Sequence, residues 1–468
     1  MKCIVIGAGN AGRPAARILN HTGNKVILTD KKLMEEFPAA VQKTLKIMEK
    51  EGIELIMGSD ISSCLENIES AYMSPTVPEN SSIRHLINDK HIKILSNEYI
   101  SELINNLLEL DVIGITGTLG KTSTTHILSE IFKNAGYKVW TCSSRMGNLL
   151  SEVIVDGIIA GLHKSNNIAV LELPHGTSRL MSQVDLNVGV ITNIYPDHLD
   201  EFDYSMEKYI KRKLFIASSS KILVSGIQCK ECIETLRNNT IYYCVENDNC
   251  EVTGKLENGL LDISYNIPEL GIKGKFESPF KLLGYYFENS IAASAASLAY
   301  GLDETSIING LKSFKGIAGH MEYIGNYKGR EVHFDAAFVP EGLVNTLESF
   351  HDQKLVVLID NPDSTNPRDK YKVGEVVGEY ADVIICSGYN ETTKKPDIKA
   401  ANEVIRGSEH SKAIKMSVED MITAGDLSIK YSNPGCIILH VGPGAITNYE
   451  DVKSKMMMGI KEGCKKYE

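Results

Sequence analysis

The sequence predicts an α/β protein of three consecutive α/β domains. A Rossmann-like unit covers 1–108, a central P-loop unit with a mostly parallel sheet covers 109–321, and a second Rossmann-like unit covers 322–468. Three observations carry this. Short apolar strands alternate with helical stretches from end to end, the pattern of parallel sheets with crossover helices. Two of the strands run straight into glycine-rich turns, at 7–12 and at 117–120. The 468 residues, 43% hydrophobic and 23% charged, suit roughly two to four globular domains of ordinary composition.

The first unit reads strand, glycine turn, helix, strand: "KCIVIGAG", "NAGRPAARILNHTG", "NKVILTD". Gly7, Gly9 and Gly12 have the spacing Gly-x-Gly-x-x-Gly, and Asp30 closes the second strand. This is a dinucleotide-type fingerprint, in which glycines permit a tight turn and let a diphosphate approach a helix N-terminus. A nicotinamide cofactor, another nucleotide, or the fold alone all fit it. "MSPTVPENSS" (73–82) is rich in turn formers and reads as a loop after a strand.

The second unit opens with the apolar strand "DVIGIT" and the loop "GITGTLGKTSTT" (114–125). A standard phosphate loop, Gly-x-x-x-x-Gly-Lys-Ser/Thr, needs glycine at 115, where Ile115 stands; Gly117, Gly120, Lys121 and Thr122 are in place. Backbone N–H groups of such a loop cradle phosphate, the lysine brings a point charge, and the threonine hydroxyl suits Mg²⁺. "KTSTTHILSEIFKNAG" follows as a helix with Ile127, Leu128, Ile131 and Phe132 on one face and Gly136 as its C-cap. "IAVLEL" (168–173) and "NVGVITNI" (187–194) are further strands. Glu172 sits at a strand's C-terminal end, the edge where open α/β sheets bind ligands, and suits a Mg²⁺ ligand. His198 follows the next strand, and Lys213 comes 15 residues later on a helix. Thr122, Glu172, His198 and Lys213 are thus expected on one sheet edge. "NSIAASAASLAYGL" (289–302) is a small-residue helix suited to close packing, and "KLVVLID", "ADVIICSG" and "GCIILHVG" are the buried strands of the third unit.

Cys229, Cys232, Cys244 and Cys250 fall within 22 residues. Four thiolates so spaced could close a tetrahedral Zn²⁺ site, or remain four reduced thiols. The net charge of −11 argues against nucleic acid, which calls for a basic face. No apolar run approaches the roughly 18 residues of a membrane span. The first residues form a strand and turn rather than a signal peptide, so a cytoplasmic location is expected.

The middle of the chain resembles the Mur ligases, ATP-dependent amide-forming enzymes of cell-wall peptide synthesis. Their loop reads Gly-Thr-Asn-Gly-Lys-Thr/Ser, in which Ile115 is ordinary. "DHLDEFDYSMEKYIKRK" resembles the tripeptide-forming members, with Met206, Tyr209 and Lys213 at the family's Met-x-x-Tyr-x-x-x-Lys spacing. The resemblance implies a carbamylated Lys213, a first Mg²⁺ on Thr122 and Glu172, and a second on His198 and the carbamate. It implies ATP on Gly117, Thr118, Gly120, Lys121, Thr122 and Ser123, adenine at Asn289, and a ribose contact at Asp335. His320 stands where the family carries a hinge arginine beside the phosphates. Gly7, Gly9, Asn10, Gly12 and Asp30 would meet the UDP of a UDP-linked precursor, and Asn148 and Arg368 other parts of the substrates. The third unit would take the incoming amino acid and share the ATP.

Departures from the family pattern are Leu119 for the loop Asn, "LPHGTS" for Ser-Ser after Glu172, and "GYYFEN" in the adenine motif. The Asp-Asn-Pro-Arg that holds diaminopimelate is absent; "GYNETTKK" lies there. With these departures, the cysteine cluster resembles the zinc site of archaeal pseudomurein peptide ligases, which implies a structural Zn²⁺. The function implied is a monomeric ligase that joins an amino acid to a carboxylate of a UDP-linked peptide precursor and releases ADP and phosphate. Rival readings are a Mur-type ligase acting on a cofactor precursor or a folate, a nicotinamide-dependent oxidoreductase, and a nucleotide-binding regulator without catalysis.

Overall fold

A computed structural model gives three large sheets in chain order, with a two-stranded ribbon of Tyr389–Asn390 and Lys395–Pro396. It describes residues 1–58, 64–147, 150–237, 239–246, 249–360, 362, 370–390 and 395–467. The first sheet has five parallel strands in the order Glu54–Met57, Lys25–Asp30, Lys2–Ile6, Ser70–Met73, Lys93–Leu95. Helix Gly12–His21 crosses from Lys2–Ile6 to Lys25–Asp30. A Cβ on Gly12 would lie 1.8 Å from the Gly7 carbonyl oxygen, so only glycine lets the helix start this close to the turn.

The second sheet has nine strands: Ile272–Pro279, Leu260–Ile267, Val252–Glu257, Thr240–Val245, Ser220–Gly226, Leu186–Ile191, Asp111–Thr116, Ile168–Glu172, Val139–Cys142. Pairing is parallel from the last of these back to Val252–Glu257, and the two outer strands add an antiparallel hairpin. The strand entering the phosphate loop lies between Leu186–Ile191 and Ile168–Glu172. The loops following all three strands therefore meet at one edge. Helix Lys121–Asn134 packs Ile127, Leu128, Ile131 and Phe132 into the core. It ends at Ala135, with Gly136 next in the left-handed region at φ +88°. Helix Tyr286–Tyr300 is buried along most of its length, its alanines and serines admitting close neighbours.

The third sheet runs Glu322–Tyr327, Arg330–Asp335, Ile437–Val441, Leu355–Ile359, Val383–Ser387, Ile414–Val418, parallel except for its first pair. The cores are continuous across the units. One joins Leu128 and Phe132 to Leu343 and Val357 of the third unit; another joins Leu19 and Leu28 of the first to Ile154 and Ile158 of the second. Ion pairs reinforce the latter junction: the buried Arg13 pairs with Glu152 at 2.5 Å, and the buried Arg17 with Asp156 and Glu51.

The zinc expectation is corrected here. Cys244, near the end of one strand, is disulfide-bonded to Cys250, which lies just before the next. Cys229 and Cys232 are free thiols at the start of the short helix Lys230–Glu234, where the Cys232 thiol donates to the Cys229 carbonyl at 3.0 Å. Two sulfurs bonded to each other leave no set of four thiolates. No helix among the described residues is long and apolar enough to cross a membrane.

Candidate active site at the edge of the middle sheet

The phosphate loop is held from the neighbouring strand end. Thr118 N–H donates to the Asn193 carbonyl (2.9 Å), Leu119 N–H to Asn193 Oδ1 (2.8 Å), and Thr192 Oγ1 to the Leu119 carbonyl (2.5 Å). Gly117 and Gly120 have φ of +143° and +79°. A Cβ on them would meet Thr192 Oγ1 at 1.9 Å and Asn289 Oδ1 at 2.3 Å, so both positions demand glycine on conformation and on space. Lys121 Nζ donates to the Thr118 carbonyl at 2.7 Å, a reach that keeps its charge over the loop.

Thr122 and Glu172 come together as expected. Thr122 Oγ1 donates to Glu172 Oε2 at 3.0 Å, and the same oxygen accepts Ser144 N–H at 3.0 Å. Ser144 Oγ lies 2.9 Å from Thr122 Oγ1. A buried carboxylate beside two hydroxyls is a hard-oxygen set that fits Mg²⁺. Ser144 was not foreseen; its place is set by the loop after Val139–Cys142.

Lys213 is 2% exposed. Its Nζ donates to the Gly117 carbonyl at 2.7 Å and lies 4.7 Å from the Tyr209 ring centroid. Tyr209 in turn places its hydroxyl 3.1 Å from Thr118 Oγ1. Burial, and then the charge of Lys121, hold the Lys213 ammonium well below the usual lysine range. An amine that ionises so reluctantly fits the carbamate expected there.

His198 has no hydrogen bond to Lys213. Its backbone is left-handed (φ +52°), and its ring faces His175, with centroids 5.1 Å apart. Nε2 lies 3.5 Å from Asp197 Oδ2 and Nδ1 3.3 Å from Glu201 Oε1. His175 Nε2 lies 3.3 Å from the other Glu201 oxygen. Burial first, and then the Lys213 charge, lower the His175 pKa to about 4. Neither His175 nor Glu201 was foreseen.

A cavity of about 170 Å³ lies over the loop. Thr118 to Ser123, Asn289 and His320 line it from the middle unit; Ala336, Ala337 and Gly342 close it from the third. His320 is buried, and burial lowers its pKa. It therefore brings no fixed charge in place of the family arginine. Asp335 is held by the protein itself. Its carboxylate accepts from Tyr285 OH (2.6 Å), Met321 N–H (2.9 Å), Thr346 Oγ1 (2.8 Å) and Ala337 N–H (3.4 Å). It is fully buried and knits the middle unit to the third. Tyr285 and Glu288 line the cavity without having been foreseen.

In the first unit a cleft of about 890 Å³ is lined by Gly7, Asp30, Lys31, Thr76, Pro78 and Ser81. Asn10 is exposed at the turn and Gly9 sits beside Ser74. Gly12 is buried against the Gly7 carbonyl, where it packs the helix onto the turn. Asp30 accepts the Ala8 and Lys32 N–H groups at 2.7 and 3.0 Å, so its carboxylate braces the glycine turn. Asn148 and Arg368 lie outside the described residues.

The family model for the Mur ligase middle domain matches residues 115–297. An uncharacterised protein of Methanothermobacter thermautotrophicus is 36% identical over 217 residues, 46% of this chain and 69% of that one. A UDP-N-acetylmuramoylalanine–D-glutamate ligase of Staphylococcus haemolyticus is 25% identical over 447 residues, 92% of this chain and 91% of its own. The solved pseudomurein peptide ligase type C from Methanothermus fervidus aligns over 97% of this chain and 100% of its own, with a TM-score of 0.60 and 22% identity. That likeness is one of fold.

Proposed function

We propose, from the premise that this chain belongs to the Mur ligase family, that it is an ATP-dependent peptide ligase of pseudomurein-type cell-wall assembly. It joins an amino acid's amine to a carboxylate of a UDP-linked precursor. The observation that carries this is a convergence on one sheet edge. The loop that would cradle phosphates, the Thr122–Glu172 pair beside it, and a buried lysine on the loop's own Gly117 carbonyl lie together.

The chain's residues support the reaction as follows. The loop amides and Lys121 hold the β- and γ-phosphates while the precursor carboxylate attacks the γ-phosphorus. ADP leaves and an acyl phosphate forms. The amine nitrogen then attacks the acyl carbon, loses its proton, and inorganic phosphate departs with the former carboxylate oxygen. Rate comes from positioning and from fixed charge at the moving phosphoryl group. Thr122 and Glu172 would hold one Mg²⁺, and His198 with carbamylated Lys213 a second; the ions supply neutralisation of phosphate charge. Residues 1–108 would hold the UDP in the cleft beside Gly7, 109–321 the ATP, and 322–468 the incoming amino acid, in a cytoplasmic monomer. The bracing of Asp30 by two amides weighs against the nicotinamide reading, which requires that carboxylate on a ribose.

The test is phosphate release over a panel of amino acids with UDP-linked glutamyl substrates. Release that requires both a carboxylate donor and an amine supports the proposal. Release indifferent to both, or turnover of a nicotinamide without ATP, overturns it.

A further inference from the structure

The geometry points to a site for a divalent transition-metal ion held by His175, His198 and Glu201. Their ligand atoms all lie within 4.8 Å of one another, and they form the one such group among the described residues. The topology explains the meeting. His175 belongs to the loop after Ile168–Glu172 and His198 to the loop after Leu186–Ile191, the two strands that flank the phosphate-loop strand. Glu201 follows three residues on, in the turn Leu199–Phe202.

Two details favour an ion over a simple hydrogen-bonded cluster. Asp197 approaches Nε2 of His198 at 3.5 Å. A carboxylate behind the distal nitrogen of a metal-binding histidine fixes its proton there and turns the other nitrogen's lone pair to the metal. That other nitrogen, Nδ1, is buried and has no hydrogen-bond partner, although Glu201 Oε1 is 3.3 Å away. An imidazole nitrogen that is buried, unbonded and 3.3 Å from a carboxylate oxygen is open to a cation shared with that carboxylate. Two imidazoles and a carboxylate suit Zn²⁺, Co²⁺ or Mn²⁺ and discriminate against Mg²⁺, which takes oxygen. The ion would tie the two loops together in front of the phosphate loop, with the His175 ring 6.1 Å from that of Tyr209. The site rests on the reading above only in sharing His198, which it would draw to His175 and Glu201, leaving the second ion of that reading to the Lys213 carbamate.

The test is a Co²⁺ titration of purified full-length protein without ATP or substrates, read by its visible absorption and by calorimetry. A Cys229→Ser, Cys232→Ser background removes thiol ligands, and circular dichroism checks the fold. Binding that excess Mg²⁺ does not displace is expected. His175→Asn and Glu201→Gln should each weaken it by more than about tenfold, while Thr122→Ala should leave it unchanged. Co²⁺ affinity no greater than that for Mg²⁺, or wild-type affinity in both folded variants, overturns the site. Ligation with Mg²⁺ alone and no Co²⁺ binding would sink this site and leave the ligase standing. Tight Co²⁺ binding without ligation would do the reverse.

Discussion

Lys213→Ala probes the ligase centre at its most buried cation. An ordinary lysine is neutral in about one molecule in 2,500 at pH 7. Carbamylation needs that neutral form. Burial and the nearby Lys121 hold Lys213 well below the ordinary range, and every unit of lowering raises the neutral fraction about tenfold. Higher pH speeds carbamylation until the amine is wholly neutral. Alanine removes three carbons and the amine from a side chain 2% exposed. Truncating the apolar stem costs about 2–3 kcal/mol of stability, partly offset because a desolvated amine goes with it. The activity loss should be larger, on the order of a hundredfold or more, the scale of losing one fixed charge partner. Phosphate release gives the rate, and labelling with ¹³C-bicarbonate should give a carbamate carbon resonance in the wild type that the variant lacks. Acetate or formate, entering the vacated space, should restore part of the activity. Lys213→Arg should not be rescued, because a permanent cation fills that place. Full activity in Lys213→Ala with unchanged Mg²⁺ dependence would refute the reasoning.

Glu172→Gln keeps the shape but not the charge that faces Thr122 and Ser144; we predict that kcat falls by about a hundredfold and the Mg²⁺ requirement rises, and an unchanged Mg²⁺ titration would count against this carboxylate as a ligand. Glu152→Gln strands the buried Arg13 guanidinium and should cost about 3–5 kcal/mol in urea unfolding, whereas a loss under 1 kcal/mol would mean that the junction tolerates the charge. His126 has its pKa lowered to about 4, chiefly by burial. The unfolded chain therefore takes up the proton first, and stability is lost as pH falls from about 6.5 toward 4, on the order of 2 kcal/mol after discounting its partial exposure. His126→Gln should flatten that limb of the urea midpoint against pH, and an identical slope would assign it elsewhere. Denatured, unreduced protein should show eight reactive thiols; ten would remove the Cys244–Cys250 bond.

What the sequence disclosed divides along the range of the interactions involved. The glycine turns and the apolar strands were legible because each is set within a few residues. "DVIGIT" has the apolar run Val112 to Ile115 and lies between two other buried strands. The hairpin over 260–279 alternates buried and exposed residues, an ordinary strand signal, but it has no long apolar run and carries lysines and glutamates on its open face. Thr122, Glu172 and Lys213 could be picked out because each belongs to a glycine-rich loop motif, ends a strand or sits at a fixed helical spacing. Ser144, His175 and Glu201 could not, because their meeting depends on which loops the strand order brings side by side. Asp335 shows the same limit from the other side. Its position along the chain suited a ribose contact, but Tyr285 lies 50 residues earlier and Thr346 11 residues later, and only folding brings their hydroxyls onto its oxygens. The cysteines make the same point through connectivity. Cys-x-x-Cys followed by Cys-x₅-Cys suits four thiolates or a bonded pair equally well. The choice falls to the backbone, which sets Cys229 and Cys232 at a helix start and leaves Cys244 and Cys250 6.1 Å apart between Cα atoms, within bonding reach.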